Sequence, residues 1–244
     1  MNGVLLLAAL CSVQSQLVPG VPGTSLSLDQ RWQRLEATPR LVGTRGTATA
    51  VVIGRVNDEL FVLTSEHVVR NSYDLKLEFF ERGSYPKVGR TVNFGITLEV
   101  MPVPDFAVLK FPVTKDQVYP IVPLATRESR PRRFPVDDFS IGCTNGKPPT
   151  IWEATIIAKR LTRRANNDEI SFFWETEQIP ISGRSGGPLF NQQGQLIGIC
   201  SATTSGKGFY THLDEILAGL KQRKLGWLLD PIENPIESEM RKNR

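Results

Sequence analysis

Histidine, cysteine and long apolar runs are scarce in this 244-residue chain, and each scarcity excludes a class of protein. Two His and three Cys rule out most zinc frameworks, which need several such ligands. The formal net charge is only +4, and no Lys/Arg-dense stripe with interleaved aromatic residues occurs, so nucleic-acid binding has little support. Residues 4–10 form an apolar run that is too short to span a bilayer, which takes about 20 residues. We therefore predict no metal or other cofactor, no nucleic-acid partner and no stable membrane span.

The amino terminus has the pattern of a short secretory signal that lacks its basic segment. Residues 4–10 fit the apolar h-region, and the small residues Val13 and Ser15 suit a cleavage site. No Lys or Arg precedes the run, so the usual positively charged n-region is missing. We predict a signal peptide over residues 1–15 and an exported protein, periplasmic or secreted. The alternative is a cytosolic protein with an apolar N-terminal strand.

Strand patterns dominate the rest of the chain. Hydrophobic residues make up 40% and charged residues 22%, as in a soluble globular protein, and Gly 20 and Pro 17 imply many turns and short elements. The predicted strands are Thr47–Ile53, Leu60–Thr64, Leu75–Phe80, Thr91–Met101, Phe106–Phe111, Phe139–Gly142, Ile151–Ala158, Ile170–Glu175, Pro188–Phe190, Gln195–Ser201 and Gly208–Thr211. Many short strands with turn signals between them predict an all-β barrel or sandwich.

The chain divides into two halves at a segment with five prolines, from Pro112 to Asp138. We predict an N-terminal extension and first β unit over residues 16–125. Residues 126–244 then hold a second β unit, a helix from Leu213 to Leu220 with apolar spacing of three and four, and a polar tail.

The segment Ser182–Phe190, SGRSGGPLF, contains a serine with the surroundings of a nucleophile. Glycines around Ser185 allow a sharp turn that exposes its hydroxyl, and they let the amides of Gly183 and Ser185 point at one spot where an oxyanion could sit. The alternative is a Gly-rich hairpin turn with an incidental serine. A serine hydroxyl needs a base to take its proton, so the nucleophile hypothesis requires a suitable partner.

Only two histidines can supply that base. His67 follows a predicted strand and has apolar neighbours, whereas His212 lies at a strand-to-helix boundary, where a capping or surface role is the stronger interpretation. A third group must hold the imidazole, ordinarily a buried carboxylate. Asp105 opens an otherwise apolar strand and is costly to bury unless paired, although a simple turn Asp after Pro104 is the alternative.

In the order His, Asp, Ser, these segments resemble those of the trypsin-like, chymotrypsin-fold serine endopeptidases, most closely the bacterial HtrA/Do-like branch. The matching pieces are residues 64–69 (TSEHVV), 105–110 (DFAVLK), 183–189 (GRSGGPL) and 194–199 (GQLIGI). The resemblance covers roughly residues 40–223. It implies two six-stranded antiparallel β-barrels with a short C-terminal helix, and the few residues after that helix leave no room for a PDZ domain.

The resemblance also implies a role for each candidate residue. Ser185 would be the nucleophile, His67 the general base and then acid, and Asp105 the orienting carboxylate. The backbone N–H groups of Gly183 and Ser185 would form the oxyanion hole, and the Ser201 hydroxyl would support Asp105.

Polypeptide substrates would bind beside this triad. Ser201–Thr203 and Gly208–Tyr210 would flank the specificity pocket and offer a backbone edge to an extended peptide, and Ile179 would lie at the base of the pocket. An apolar residue there argues against a strict Lys/Arg preference and predicts a preference for apolar side chains. The substrate-binding residues implied are Ile179, Ala202, Thr203, Gly208 and Tyr210.

Four residues set this chain apart or leave a question open. Glu66 adds a charge beside His67 and would either raise the basicity of the histidine or point into solvent. Arg184 in the nucleophile loop would bias binding toward acidic substrates. Cys143 and Cys200 fall on predicted strands of the second unit, where export would allow a disulfide, and two buried thiols are the alternative.

Two functions remain in competition. A serine endopeptidase would act through an acyl-enzyme, and the presence of all three triad residue types favours it. A catalytically silent, protease-like protein-binding module is the alternative. An α/β-hydrolase esterase is disfavoured, although Gly183, Ser185 and Gly187 match its motif, because that fold needs alternating helices and the order Ser, Asp, His.

Overall fold

The structure is a computed structural model that describes residues 25–164 and 168–229, and two antiparallel β units make up most of this part of the chain. The predicted all-β fold is confirmed. Its helices are α1, Leu28–Glu36, α2, Glu66–Val69, and α3, Leu213–Gln222. The predicted signal peptide over residues 1–15 and the polar C-terminal tail lie outside the described residues. Within these residues, no helix has the length and apolar character needed to cross a membrane.

The first unit is a seven-stranded sheet whose two edge strands are continuous in the chain. Its strands are β1, Arg40–Gly43, β2, Gly46–Thr49, β3, Val51–Val56, β4, Glu59–Thr64, β5, Leu75–Phe79, β6, Arg90–Met101, and β7, Phe106–Pro112. They are ordered β2-β1-β5-β6-β7-β4-β3. Only Ala50 separates the edge strands β2 and β3, so the chain itself joins the two edges of the sheet. One bent strand, predicted as Thr47–Ile53, thus accounts for the seventh strand.

The second unit is a closed six-stranded barrel, as predicted. Its strands are β8, Val136–Gly142, β9, Thr150–Arg163, β10, Ile170–Thr176, β11, Pro188–Phe190, β12, Leu196–Thr204, and β13, Lys207–His212. The closed order is β10-β13-β12-β11-β8-β9. Inward-facing apolar side chains fill it, among them Ile141, Ile156 and Ile199, because alternate residues of a strand face the barrel interior.

A connection over residues 113–135 carries the chain from one unit to the other. The Val122 N–H donates to Val52 O in β3 at 3.1 Å, and the Ala125 N–H donates to Leu196 O in β12 at 3.0 Å. The chain therefore changes unit within a few residues. The predicted boundary between residues 125 and 126 falls in this connection and stays a prediction.

Helix α1 packs across both units. A capping box between Ser27 and Gln30 begins the helix, and Trp32 and Leu35 are buried on its inner face. Arg34 Nε donates to Gly194 O at 2.6 Å, which ties the helix to the turn between β11 and β12. Helix α1 is thus part of the folded core.

His212 caps helix α3, which confirms the capping interpretation. Its Nδ1 accepts a hydrogen bond from the Asp214 N–H at 3.0 Å, and its ring lies 4.2 Å from the Trp174 ring. Burial, with the positive charge of Lys159, lowers the pKa of His212 to about 3. The imidazole is therefore neutral in the folded protein over the whole neutral range.

The buried cap makes stability depend on pH. In the unfolded chain His212 regains an ordinary pKa near 6.5, so between about pH 6.5 and 3 the unfolded state binds a proton that the folded state rejects. The free energy of unfolding therefore does not depend on this group above pH 6.5. As the pH falls from 6.5 towards 3, the free energy of unfolding decreases by about 1.4 kcal/mol for each pH unit. We expect His212→Asn, which keeps a capping acceptor but cannot titrate, to flatten the dependence of the unfolding free energy on pH by that amount. Urea melts from pH 6 to 4 measure both slopes, and equal slopes would refute the assignment.

Candidate active site

His67 and Asp105 meet because their strands are neighbours. Strand β4 pairs with β7 in antiparallel register, with Thr64 opposite Ala107. His67 follows the end of β4 and Asp105 precedes the start of β7, so both residues lie beyond the same end of this pair of strands. Antiparallel pairing alone thus brings together two residues that are 38 positions apart.

The two residues form a contact between a buried carboxylate and an imidazole that is one-third exposed. His67 Nδ1 lies 2.9 Å from Asp105 Oδ2 and 3.1 Å from Oδ1, and the His67 backbone N–H donates to Oδ1 at 3.0 Å. The Asp105 side chain is 0% exposed and that of His67 is 33% exposed. Because a carboxylate only accepts, the neutral imidazole donates from Nδ1, and this tautomer has its lone pair on Nε2.

The second unit supplies two further donors to the same carboxylate. Ser201 Oγ donates to Asp105 Oδ2 at 2.5 Å, and Arg164 Nη1 lies 3.0 Å from Asp105 Oδ1. Ser201 is the extra residue of a β-bulge in β12, since Cys200 pairs with Tyr210 but Ala202 pairs with Phe209. A bulge re-aims a side chain out of the regular alternation. Here the side chain of the bulge residue reaches the first unit.

The loop around Ser185 is fixed against the first unit by Thr49. The Thr49 N–H donates to Ser185 O at 3.0 Å, and Thr49 Oγ1 donates to Gly183 O at 2.8 Å. Gly186 has a φ of +79°, and a Cβ there would lie 2.2 Å from Thr64 Oγ1. Only glycine fits so close to the first unit, which is why the sequence around Ser185 is glycine-rich.

The amides of Gly183 and Ser185 are available to a ligand. Neither N–H donates to another group within the described residues, and in this part of the chain Ser185 Oγ has no hydrogen-bond partner. Gly183 has a φ of +89°, and a Cβ there would lie 2.3 Å from Cys143 O. The loop therefore holds a conformation that needs glycine at position 183, and within the described residues it leaves two amide donors free beside a hydroxyl.

A cavity of about 200 Å³ joins these groups. His67, Gly183 and Ser185 all line it, and its apolar wall includes Leu41 and Leu75. The structure thus places three of the predicted site residues around one space. The residues predicted for the specificity pocket, Ile179, Ala202, Thr203, Gly208 and Tyr210, do not line this cavity.

The predicted peptide edge is wrong for Gly208–Tyr210. These residues belong to β13, which has β10 on one side and β12 on the other, so no backbone edge is free there. The Tyr210 side chain is buried in the core. Ile179 is 49% exposed, and Gly208 lies against its segment, since a Cβ at Gly208 would be 2.5 Å from Gln178 O. Ala202 and Thr203 lie beyond the end of the β11 pairing and keep a free side.

Glu66 does not point into solvent, so that expectation is wrong, while an effect on the basicity of His67 stays a prediction. Its carboxylate is buried and accepts two hydrogen bonds from Arg70, from Nε at 2.8 Å and from Nη2 at 2.5 Å. This bidentate pair raises the pKa of Arg70. Glu66 therefore neither points into solvent nor stands as an unpaired charge beside His67, because its charge is matched within one turn of helix.

Arg184 turns away from the cavity, so its predicted role in binding acidic substrates is wrong. Its side chain is only 1% exposed and lies over the Trp152 ring at 4.1 Å. Nη2 donates to Ser140 Oγ at 2.9 Å and to Ser140 O at 3.2 Å, and Nη1 donates to Gly142 O at 3.2 Å. Burial lowers its pKa. The guanidinium is thus an internal brace of the second barrel.

Cys143 and Cys200 are free, buried thiols, so the disulfide is not formed and the alternative is confirmed. Burial raises the pKa of each thiol to about 12. Neither is a nucleophile near neutral pH. Across residues 25–164 and 168–229, no three His, Cys, Asp or Glu residues gather closely enough to hold a metal ion.

Sequence reasoning missed three residues that shape the site. Arg164 looks like one of several surface cations at the end of a strand, and Thr49 like an ordinary strand residue. Ser65 donates through its hydroxyl to Cys200 O, which again joins the two units. No local sequence pattern marks these contacts, because the partners are far apart in the chain. Thr49 and Ser65 contact residues more than a hundred positions away, and Arg164 contacts Asp105 over 59 positions.

Comparison with known proteins places the chain in a family. The model of the trypsin-like peptidase domain matches residues 48–199, more than half of the chain, so the chain belongs to the trypsin-like peptidase family. It is 24% identical over 174 residues to a protein of Chlamydia pneumoniae described as "Probable periplasmic serine endoprotease DegP-like". That match covers 70% of this chain and 32% of the relative, so the chain spans about a third of the length of this curated relative.

Solved structures show the same fold. The Rv3671c protease of Mycobacterium tuberculosis, in its active form, has a TM-score of 0.64 at 18% identity, covering 84% of this chain and 89% of that one. An HtrA-type protease solved with a tripeptide has a TM-score of 0.64 at 21% identity, covering 82% and 64%. Together with the family model and the DegP-like relative, they confirm the resemblance to trypsin-like, HtrA/Do-like protease domains.

The buried guanidinium can be tested by stability. Arg184→Met fills a similar volume but leaves buried oxygens of Ser140 and Gly142 without their donor, so we expect it to lower the unfolding free energy by about 2–4 kcal/mol. Arg163→Met, at a side chain that is 68% exposed, is the control and should change it by less than about 0.5 kcal/mol. Urea melts measure both. An Arg184→Met protein as stable as wild type would contradict the bracing role.

Proposed function

We propose that this chain is a serine endopeptidase that hydrolyses peptide bonds through an acyl-enzyme. The observation that carries the proposal is the His67–Asp105 contact, at 2.9 Å, on a cavity that Ser185 also lines. His67 is the general base, Asp105 the orienting carboxylate and Ser185 the nucleophile. Membership of the trypsin-like peptidase family supports these roles.

In this mechanism His67 Nε2 takes the proton of Ser185 as the hydroxyl oxygen attacks the scissile carbonyl. The imidazolium that forms is stabilised by Asp105, whose burial excludes competing water. The same proton then passes to the leaving amine, which gives the acyl-enzyme, and a water molecule repeats the sequence to release the acid. Hydrogen bonds at such sites often form only when substrate binds, which fits a Ser185 hydroxyl that has no partner among residues 25–164 and 168–229.

The oxyanion of the tetrahedral intermediate is held by the N–H groups of Gly183 and Ser185. Both donors lack a partner among the described residues, and Thr49 holds the carbonyl groups of the same two residues from the other side. Donors that are fixed in advance need no reorganisation when charge develops, which is the main source of their effect. The Ser201 hydroxyl acts indirectly, because its hydrogen bond to Asp105 stabilises the negative charge of that carboxylate.

Substrate binds as an extended strand along the free side of β12. Ala202 and Thr203 offer backbone groups there, and Ile179 beside Gly208 forms an apolar contact for the side chain before the scissile bond. The cavity lined by His67 and Leu41 receives the leaving side of the peptide. An apolar residue at position 179 supports a preference for apolar side chains rather than for Lys or Arg.

We propose that the protein is exported, to the periplasm or beyond the cell, after removal of residues 1–15. The apolar run at residues 4–10 and the periplasmic description of the DegP-like relative support export. We also propose that the chain left after this cleavage divides into two parts, residues 16–125 and residues 126–244.

Covalent labelling separates the enzyme from a silent binding module. We expect wild-type protein to react with a fluorophosphonate probe and to degrade unfolded casein, since Ser185 and His67 form the nucleophile–base pair. Ser185→Ala abolishes labelling, and His67→Ala lowers it by at least about 10³-fold. Circular dichroism establishes that each variant is folded. Wild-type protein that is folded, unlabelled and inert on casein would instead favour the binding module.

The oxyanion hole has its own test with a matched control. Gly183→Ala would bring a Cβ within 2.3 Å of Cys143 O and must shift the loop, so we expect labelling to slow by about 10²–10³-fold. Gly206→Ala has a similar φ of +74° but nothing within 4 Å of its Cβ. It should be slightly less stable yet label at the wild-type rate. Equal labelling by the two variants would contradict the placement of the oxyanion hole.

A further inference from the structure

Arg164 is a cation in direct contact with the buried carboxylate of the site. It directly follows β9, and its Nη1 lies 3.0 Å from Asp105 Oδ1 and donates to Pro102 O at 3.2 Å. The guanidinium thus holds two points of the turn that carries Asp105. Its side chain is mostly buried, at 21% exposed, so solvent screens the pair only in part.

The other charged and titratable groups that face this pair do not offset the charge of Arg164. On α2, Arg70 is matched by the bidentate carboxylate of Glu66. On β12, Cys200 stays neutral because burial raises its pKa to about 12. Arg45 lines the same cavity as His67 but is exposed to solvent. Within the described residues Arg164 has no other acidic partner. The Asp105 carboxylate therefore contacts two groups that can carry a positive charge, Arg164 and His67.

We propose that Arg164 is a positioning residue, which fixes the Asp105 carboxylate and sets the pH range over which His67 serves as a base. The inference rests on the proposed function and adds to it a residue that does not touch the substrate. A carboxylate shared with a guanidinium stabilises an imidazolium less than a carboxylate that faces the imidazole alone. Loss of the Arg164 charge would therefore strengthen the attraction between Asp105 and a protonated His67.

The test removes the charge and follows the pH dependence. We expect Arg164→Gln to move the acid limb of fluorophosphonate labelling to higher pH by about one unit, so that labelling below the wild-type midpoint is about tenfold slower. The rate on the high-pH plateau falls only slightly, because the His67 backbone N–H and the Ser201 hydroxyl still hold the Asp105 carboxylate. Arg164→Lys retains the cation and should keep the midpoint close to that of wild type. Arg163→Gln is the matched control at the adjacent, exposed arginine and should change neither midpoint nor plateau.

A second readout does not depend on activity. The chain has two histidines, so the Cε1–H signals in a proton NMR titration are assigned by comparison with His212→Asn. We expect the His67 midpoint to rise in Arg164→Gln by the same amount as the acid limb.

Each outcome bears on one proposal. A lower plateau rate with an unchanged midpoint in both readouts would show that Arg164 only braces the fold. An unchanged pH profile would show that Arg164 neither braces the fold nor affects His67. Either result overturns the inference. Folded wild-type protein without labelling overturns the proposed peptidase instead, while the NMR titration still tests Arg164.

Discussion

The structure depends on one fully buried carboxylate. Asp105 has no contact with solvent, and a charge in that position is costly unless donors surround it. His67 supplies two of those donors from the first unit, whereas Ser201 and Arg164 supply the others from the second. The carboxylate therefore has all of these donors only when the two β units are packed together, so the site and the interface between the units form as one arrangement.

Hydrogen bonds and close backbone contacts also hold the rest of the interface between the two units. Thr49 uses its N–H and its hydroxyl to hold the loop of Ser185, and Gly186 approaches Thr64 more closely than any side chain would allow. Buried polar groups in such a network fix geometry, because each alternative arrangement leaves a donor or acceptor unpaired. A hydrolase needs this rigidity, since its oxyanion donors act only when they are held in advance.

The other charged side chains near the site also lie against specific partners. Glu66 and Arg70 cancel one another beside His67, and Arg184 is buried against carbonyl oxygens and an aromatic ring without a carboxylate. Arg164 is instead in direct contact with Asp105, at 3.0 Å. Residues that look alike in composition thus have different electrostatic effects, which depend on the partners that the fold provides.

The sequence by itself determined the all-β class, most strands, the C-terminal helix and the candidate triad. Period-two alternation, glycines around Ser185 and an acid opening an apolar strand are local signals, readable without coordinates. Only the tertiary structure decided which way Glu66 and Arg184 point, that Cys143 and Cys200 stay apart as thiols, and that β13 has no free edge. Most of these contacts join residues distant in the chain, and their energies come from burial and pairing that exist only after the two β units have formed.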